Sequence, residues 1–457
     1  MNFLTIVLDT QRRDHLSCYG YPRRTSPRLD ELAAEGVLFE NALTNTAHTM
    51  PSFTTMCTGQ HPASHGIVGT LFSHPNEPDQ RLDDTTPVLA EMMRDSGYLT
   101  AAFDNLHDFG CFPSWFARGY HWYVNTWAPR GGHPCRVTAD EINERLLPWL
   151  RQHATQQPWY LFVHYWDPHQ PYNQPERYRT IHSGGPQPEQ THIADRDYIP
   201  RWGWTDRLDE TSLEKIDLYD GELSYVDNAI ADVLAVLHDT GVYEQTAVIV
   251  TADHGEDMQE HNAPFEHREP YETTCGVPLI LKPPAGVGCA AGTRIPAIVG
   301  HHDLMPGILD MAGLEPPEDI DGKSWLPLAR GQQDTIHDTL FLTGGNLKQH
   351  GTWAAPELGI RTAQHKYLRR GTTEYEEGHT RLDLSGLNAP PWRGQPQRTE
   401  RDRVEFFNSL PRRELYDLRT DPAETVNIIT DEPDLAAQLD ERLRQYVAKN
   451  PTRFVLD

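Results

Sequence analysis

The chain has 457 residues, of which 40 are Lys or Arg and 66 are Asp or Glu, so its formal net charge at pH 7 is −26. This excess of acidic residues opposes non-specific attraction to nucleic acid or to an anionic membrane surface. The length permits a large buried core and favours two domains, or one large domain with a smaller one appended.

The N-terminal segment MNFLTIVLDT lacks the features of a secretory signal: it has no basic start and no small-residue cleavage site, and its short apolar part ends in an acid. No apolar run in the sequence approaches the ~20 residues of a membrane span. We therefore expect a cytoplasmic protein. The six Cys are scattered without a CxxC pair, which favours reduced, mostly buried thiols over a zinc module or a disulfide framework.

Alternating apolar runs and amphipathic patterns predict the main elements of the first domain. Runs rich in β-branched and aromatic residues predict buried strands over residues 3–8, 159–165 and 246–251, and a further one within 276–284. Amphipathic patterns predict helices over residues 26–36, 83–98 and 218–241. Strands that alternate with helices indicate an α/β fold whose central sheet is mostly parallel and flanked by helices.

The pattern changes near residue 335, which predicts a catalytic domain over 1–335 and a smaller C-terminal α+β domain over 336–457. Short strands within 359–370 and a terminal helix near 433–448 belong to the smaller domain. The segment 170–210 is rich in Pro, Gly, His and Trp and lacks periodicity, so we expect a lid insertion there.

The stretch AHTMPSFTTMCTG, residues 47–59, predicts a short helix entered through Pro51 and closed by Gly59. Thr49 stands just ahead of it, and because Thr is a favoured N-cap, this stretch alone favours a structural role. Free backbone amides at a helix N-terminus also attract the anionic oxygens of a phosphate or sulfate. A nucleophilic role for Thr49 therefore fits the same location.

Polar residues of the types that ligate metals follow directly after the three central strands: Asp9, then Asp167 and His169, then Asp253, His254 and Glu256. In open α/β sheets, ligands bind beyond the carboxyl ends of the strands. We therefore expect these side chains to converge. A single Asp at such a place is usually a helix cap and a single His usually packs in the core, but three such clusters indicate a metal site.

Carboxylates and an imidazole from these strand ends would hold the metal, and the hydroxyl oxygen of Thr49 would complete the set of ligands. Two carboxylates and an imidazole suit Zn²⁺ or Mn²⁺, with Mg²⁺ and the oxygen-preferring Ca²⁺ as alternatives. Coordination lowers the pKa of a hydroxyl, as it does for bound water, and supplies a nucleophile at neutral pH without an adjacent base. The capping and the nucleophilic roles of Thr49 thus share one geometry.

Five groups of motifs follow one another along the chain: VLDTQRRDHLSCYGYPRRTSPRLDELAAEGVLFENAL with PSFTTMCTGQHPASHGI, FVHYWDPHQPY, TADHGED with PYETTCGVPLI, HHDLMPGILDMAGLEPPEDIDGKSWLPL, and ELYDLRTDPAETVNI. Together they resemble the sulfatase family of the alkaline phosphatase superfamily, in the family's order and over nearly the whole chain. The resemblance implies a large α/β domain with a central mixed sheet, a small C-terminal antiparallel sheet with one helix, and hydrolysis of sulfuric or phosphoric esters at a metal.

The chain departs from the family's pattern at the nucleophile. Sulfatases of the standard type carry Cys or Ser in C/S-x-P-S-R, which is converted to formylglycine, whereas this chain has Thr49 at that position and Phe53 in place of the Arg. Formylglycine chemistry is therefore not expected. The resemblance instead points to the phosphodiesterase, phosphonate-ester and phosphoethanolamine-transfer branches, in which a threonine is transiently phosphorylated and water releases the product. It implies Thr49 as the nucleophile and a metal held by Asp9, Asp253 and His254 together with Thr49.

The resemblance also implies roles for other residues. Asn105 and His107 stand where the family has a Lys-Trp-His segment, and we expect Asn105 to bind substrate as an oxyanion donor. His107 either binds substrate as well or orients a residue that does. His169 and His267 are the candidate acids for the leaving group; alternatively, they hold a second metal together with Asp167. The remaining histidines near these motifs are interpreted as packing, loop or helix-cap residues: His48, His61, His65, His301 and His302.

The leading hypothesis is a metal-dependent hydrolase of a phosphoric or phosphonic ester, acting on a small-molecule or glycan anion through Thr49. A second hypothesis keeps a sulfuric ester as substrate without formylglycine, and a third is a non-catalytic relative that binds an anion. A mutase is disfavoured because residues 170–210 are too short for the cap of that branch. No nucleic-acid or membrane partner is expected, and a homo-oligomer is left open.

Overall fold

The computed structural model describes residues 1–68, 82–106, 114–126, 137–156, 158–184, 211–261, 265, 267, 269–344, 357–370 and 409–449. Its strands are β1 (Asn2–Leu8), β2 (Val37–Leu43), β3 (Leu99–Asp104), β4 (Trp122–Asn125), β5 (Trp159–Tyr165), β6 (Thr246–Ala252), β7 (Leu279–Lys282), β8 (Thr293–Gly300), β9 (Thr339–Gly344), β10 (Glu357–Thr362), β11 (His365–Arg370) and β12 (Arg413–Asp417). Its α-helices are α1 (Pro27–Glu35), α2 (Thr49–Thr58), α3 (Pro62–His65), α4 (Leu89–Asp95), α5 (Ala139–His153), α6 (Glu176–Arg179), α7 (Ser212–Asp239), α8 (Glu272–Cys275), α9 (Leu304–Ala312), α10 (Leu326–Ala329) and α11 (Pro433–Ala448).

The large sheet has the strand order β4-β3-β5-β1-β6-β7-β2-β8 and is parallel except for β7. The three strands predicted from apolar runs are β5, β1 and β6, which lie side by side at its centre. Along β1, Leu4 and Ile6 pack into the core on one face, whereas Phe3 and Val7 pack into the core on the other. Both faces are therefore covered, as expected for a parallel sheet.

Two helices differ from their predicted bounds for local reasons. Helix α7 begins at Ser212, ahead of the predicted residue 218, because Thr211 and Glu214 form a capping box. Helix α4 spans only Leu89–Asp95 within the predicted range 83–98. Its start is delayed because the Asp83 carboxylate accepts a hydrogen bond from the backbone N–H of Thr85, 2.8 Å away, and holds that segment in a turn.

Helix α1 ends where the predicted glycine stands. A Cβ atom on Gly36 would come within 2.1 Å of the carbonyl oxygen of Leu281, on the neighbouring strand β7. Glycine is thus required by the close approach of two backbones, which lets α1 pack tightly against the sheet.

The small domain has a four-stranded antiparallel sheet in the order β12-β11-β10-β9, with α11 packed against it. Ile360 and Tyr367 of the sheet share a buried cluster with Leu439 and Leu443 of the helix. The predicted terminal helix and the antiparallel sheet are confirmed. The boundary at residue 335 stays a prediction, and the lid prediction falls largely on residues 185–210, which lie outside the described residues.

Buried charges join the two domains through Glu272 of α8. Its carboxylate contacts Arg13 near the N-terminus at 2.6 Å, and Arg361 and Lys366 of the small sheet at 3.0 Å each. Lys366 is fully buried and also lies 3.1 Å from Glu424. Burial alone would raise the pKa of Glu272, but the three cations outweigh it and hold that pKa well below its ordinary value.

Asp440 of α11 offers a test of how the helix is held. Burial raises the pKa of its carboxyl, but hydrogen bonds from Arg369, Arg444 and Tyr367 outweigh burial and place that pKa at about 2. Because this is below the ordinary Asp value, Asp440 stabilises the fold above about pH 4 and loses that effect as pH falls toward about 2. Allowing for solvent screening, we expect Asp440→Asn to lower the free energy of unfolding by about 1 kcal/mol at neutral pH.

Urea unfolding of wild type and Asp440→Asn across this pH range measures the difference. Glu441→Gln is the matched control. Glu441 lies on the same helix, is exposed and accepts a hydrogen bond from Gln445 in the next turn, so its substitution should change stability little. A wild-type advantage that stays constant down to pH 2 would contradict the ion-pair explanation.

No described helix is both long and apolar enough to cross a membrane.

Candidate active site

Parallel pairing of β1 with β6 brings two acidic residues together. Leu8 is in register with Ala252, so Asp9 and Asp253, the next residues of each strand, emerge side by side at the carboxyl edge of the sheet. Both side chains are fully buried. The predicted convergence of strand-end acids is thus present in the structure.

Asp253 and His254 are held in fixed orientations by the backbone. Asp253 Oδ1 accepts hydrogen bonds from the N–H groups of Thr10 at 3.1 Å and of His254 at 2.8 Å. His254 Nδ1 donates to the carbonyl oxygen of Gly255 at 2.8 Å, so its Nε2 carries the lone pair. That nitrogen lies 3.2 Å from Asp253 Oδ2, which accepts no hydrogen bond from any described residue.

These ligand atoms fit a divalent metal. One ligand atom each from Asp9, Asp253 and His254 lies within 4.8 Å of the others, and all three residues are buried. A cation between this buried carboxylate oxygen and the imidazole lone pair would remove their mutual repulsion. Two carboxylates and an imidazole are the donor set expected for such a cation.

Thr49 faces this cluster. Its Oγ1 lies 3.2 Å from His254 Nε2, and the residue is partly exposed. The capping role considered for Thr49 is wrong, because α2 begins at Thr49 and its N-cap is His48, which makes no side-chain cap. Ser52, one turn later, donates a hydrogen bond from Oγ to the carbonyl oxygen of Asp253 at 2.7 Å and fixes α2 against the site.

His267 lies at the centre of a group of histidines on the other side of His254. The ring centroids of His254 and His267 are 4.1 Å apart. The ring centroids of His48 and His169 lie 5.7 and 5.8 Å from that of His267. His267 Nδ1 is 3.2 Å from a carboxylate oxygen of Glu256. This pairing orients the ring of His267 within the site.

The structure does not support the alternative in which Asp167, His169 and His267 hold a second metal. The Asp167 carboxyl shares a hydrogen bond with Glu222 of α7. Burial raises the pKa of Asp167 to about 6, and burial and Asp167 raise that of Glu222 well above its ordinary value, so the two carboxyls share a proton. His169 lies beside His267, and its Nδ1 donates to the carbonyl oxygen of Gln170 at 2.5 Å.

The two predicted substrate-binding residues stay predictions. Asn105 is fully buried directly after β3, at the same edge of the sheet as Asp9. His107 lies outside the described residues. The neighbouring Asp104 accepts a hydrogen bond from Tyr123 and is fully enclosed, and its burial raises its pKa to about 6.

Two residues of the site were not predicted. His164 lies inside the apolar run of β5, and its Nε2 is 3.4 Å from a carboxylate oxygen of Asp9. Burial lowers the pKa of His164 to about 4, so its ring is neutral at physiological pH. The sequence feature that could have indicated His164 is an ionisable side chain within an otherwise apolar strand. His48 was interpreted as a packing or loop residue, whereas its ring faces His267 in the site.

The sequence matches two family models. The model described as Sulfatase covers residues 1–314, and the model described as N-sulphoglucosamine sulphohydrolase, C-terminal, covers residues 260–386. Among curated relatives, Arylsulfatase K of Rattus norvegicus is 25% identical over 475 residues, spanning 92% of this chain and 73% of the relative.

Solved structures show the same fold at low identity. The phosphonate monoester hydrolase of Agrobacterium radiobacter has a TM-score of 0.72 at 20% identity, covering 98% of this chain and 96% of the other. BT4656, solved in complex with its substrate D-glucosamine-2-N,6-O-disulfate, has a TM-score of 0.73 at 18% identity, covering 99% and 98%. Family members generally bind a divalent metal, in keeping with the ligand cluster described above. The chain belongs to the sulfatase family and is an ester hydrolase of the alkaline phosphatase-like superfamily.

Proposed function

We propose that this hydrolase cleaves a phosphoric or phosphonic ester, with phosphodiesters and phosphonate monoesters as its preferred substrates and Thr49 as its nucleophile. The observation that carries the proposal is the 3.2 Å contact between Thr49 Oγ1 and His254 Nε2, within a cluster that fits a divalent metal. A partly exposed hydroxyl at the first residue of a helix, beside buried acidic ligands, has the position required of a nucleophile.

The identity of the nucleophile argues for phosphorus over sulfur. In sulfatases of the standard type, the hydrate of formylglycine releases its sulfate adduct by collapsing to an aldehyde. The ester formed on a threonine hydroxyl has no such route, so water must hydrolyse it by attack at the phosphorus or sulfur atom. A phosphothreonine adduct can be hydrolysed in this way, as in the threonine branches of the superfamily that the sequence resembles.

The reaction would proceed in two balanced steps. In the first, Thr49 Oγ1 loses its proton to solvent and forms a bond to phosphorus while the bond from phosphorus to the leaving-group oxygen breaks. In the second, water attacks phosphorus, the bond to Oγ1 breaks, and the threonine hydroxyl is restored. A divalent metal held by Asp9, Asp253 and His254 would supply charge neutralisation and lower the pKa of a hydroxyl that it binds.

The proton for the leaving group would come from His267 or His169. The Glu256 carboxylate orients His267 through Nδ1, and an oriented imidazole beside the metal cluster is suited to general acid catalysis. His169 is oriented in the same manner by the carbonyl oxygen of Gln170. Zn²⁺ or Mn²⁺ suits the mixed oxygen and nitrogen ligands better than Mg²⁺ or Ca²⁺, which prefer oxygen alone.

A sulfuric ester is the second candidate substrate. It is supported by the sulfatase names of the curated relatives and by the sulfated sugar in the BT4656 complex. Under this alternative, Thr49 or a water molecule would attack sulfur. Either substrate would be a small-molecule or glycan anion, and we propose that the protein acts in the cytoplasm.

A substrate panel decides between the candidates. Metal-free protein is restored with Zn²⁺, Mn²⁺, Mg²⁺ or Ca²⁺ and assayed with an aryl sulfate, a phosphate monoester, a phosphodiester and a phosphonate monoester that share one leaving group. We expect the diester or the phosphonate ester, with Zn²⁺ or Mn²⁺, to exceed the aryl sulfate in kcat/KM by at least about tenfold. Fastest turnover of the aryl sulfate would establish the second candidate, and metal binding without any turnover would indicate a non-catalytic anion-binding protein.

A further inference from the structure

A second cluster of potential metal ligands lies outside the active site, between the two domains. His302 and Asp303 belong to a 3₁₀ turn between β8 and α9, and His337 lies in the segment that leads into β9 of the small sheet. One ligand atom from each of the three lies within 4.8 Å of the others. None of the three takes part in the reaction proposed above.

The tautomer of His302 is determined by Asn45. His302 Nδ1 is 2.9 Å from Asn45 Oδ1, which also accepts the backbone N–H of His302 at 3.3 Å. The amide nitrogen of Asn45 donates to the carbonyl oxygen of Phe341 at 3.3 Å, so the amide cannot turn round without losing these contacts. Nδ1 therefore carries the proton, and the lone pair of Nε2 faces a carboxylate oxygen of Asp303 at 3.6 Å.

The Asp303 carboxylate is held in place from two other directions. Its oxygens accept hydrogen bonds from the backbone N–H groups of Gly300 and Lys323, each at 2.8 Å. His337 Nε2 lies 2.9 and 3.0 Å from the two oxygens. The side chains are 0% exposed for Asp303, 6% for His302 and 9% for His337. Two imidazoles thus converge on one desolvated carboxylate whose orientation is already set.

We propose that His302 Nε2, Asp303 and His337 Nε2 bind a Zn²⁺ ion that is separate from the catalytic metal. This ion would link the 3₁₀ turn to the segment that precedes β9. Two imidazoles and a carboxylate form a common zinc donor set, and three protein ligands leave one position for water. The cation would remove the repulsion between the Nε2 lone pair of His302 and the carboxylate oxygen, which a hydrogen bond from His337 does not relieve.

This zinc would also support the active site through the residue beside it. His301 Nδ1 lies 3.0 Å from Ser52 Oγ, and Ser52 donates to the carbonyl oxygen of Asp253. Fixing the turn that contains His301 therefore helps to fix helix α2, on which Thr49 stands. The zinc would take no part in the ester hydrolysis, and its binding does not depend on which ester the enzyme cleaves.

The competing explanation is a metal-free hydrogen bond between His337 and Asp303, and two substitutions separate the explanations. His337→Gln keeps a donor for Asp303 but provides no imidazole ligand, whereas His337→Cys provides a thiolate ligand for zinc but a poor donor. Both are made in the full chain carrying Asp253→Asn, which removes a ligand of the catalytic metal. The protein is stripped with chelator, reloaded with Zn²⁺ and analysed for bound zinc, and Co²⁺ loading gives an absorption spectrum that reports coordination.

We expect one zinc per chain in the Asp253→Asn protein and in its His337→Cys variant, and none in its His337→Gln variant. Zinc should raise the Tm of the first two proteins and leave that of the third unchanged. Equal zinc content in all three proteins, or none in any, would overturn the proposal. Loss of zinc from the Cys variant together with the Gln variant would overturn it as well. Because turnover is not measured here, failure of the proposed ester hydrolysis cannot be confused with failure of this zinc site.

Discussion

Replacing Thr49 by Val is expected to lower kcat/KM for the best substrate of the panel by at least about 10⁴-fold, because the isosteric side chain lacks the attacking oxygen. Folding should be preserved. Thr49 makes no side-chain cap and is partly exposed, so the free energy of unfolding should change by less than about 1 kcal/mol. Initial rates on the panel, together with thermal unfolding, measure both effects.

Thr49→Ser is the matched control, since it keeps the hydroxyl at the same position. We expect it to retain activity within about tenfold of wild type. The Ser variant still lacks the Arg of the standard sulfatase motif, with Phe53 in its place, so its intact mass should be that of unmodified serine. Turnover by the Val variant at the wild-type rate would show that another group attacks the ester.

Asp253→Asn should remove the catalytic metal. Asn keeps an oxygen to accept the hydrogen bonds of Thr10 and His254, but it replaces the Oδ2 that faces His254 Nε2 with an amide that cannot ligate. We expect the loss of one metal equivalent per chain and a decrease in kcat/KM of at least about 10³-fold. Metal analysis after dialysis and panel rates with added Zn²⁺ or Mn²⁺ measure these outcomes.

Asp227→Asn provides the comparison with another buried aspartate. Asp227 accepts backbone hydrogen bonds from Arg28 and Leu29 at the start of α1 and is not part of the metal cluster. Burial raises its pKa to about 7, so substitution with a neutral amide is mild. It should keep its metal and its turnover. An Asp253→Asn enzyme with full metal content would contradict the ligand assignment.

The central sheet was predictable because its strands are buried on both faces, which produces unbroken apolar runs such as residues 159–165. Short strands at the edges, such as β4, expose part of their surface and carry no comparable signal. The early start of α7 was readable from Thr211 and Glu214, whose spacing is that of a capping box, although the apolar periodicity begins later.

The metal ligands were predictable from one topological rule, since Asp9 and Asp253 follow neighbouring parallel strands. The residues that surround these ligands could not be predicted in the same way. Asp167 also follows a central strand, but the sequence does not reveal that its carboxyl is hydrogen-bonded to Glu222 on helix α7. The role of Thr49 depends on whether α2 begins at this residue or after it, a difference of one residue that composition does not resolve.

The ion pairs around Glu272 have a consequence for how the chain matures during synthesis. The cations that balance this carboxylate come from Arg13, near the start, and from Arg361 and Lys366, which leave the ribosome long after Glu272. Lys366 in turn pairs with Glu424, which is synthesised later still. We expect that a nascent chain does not bury these ion pairs before Glu424 has been synthesised, because a buried charge without its partner is costly. Burial of Glu272 is thus expected to follow the synthesis of β11 and of Glu424.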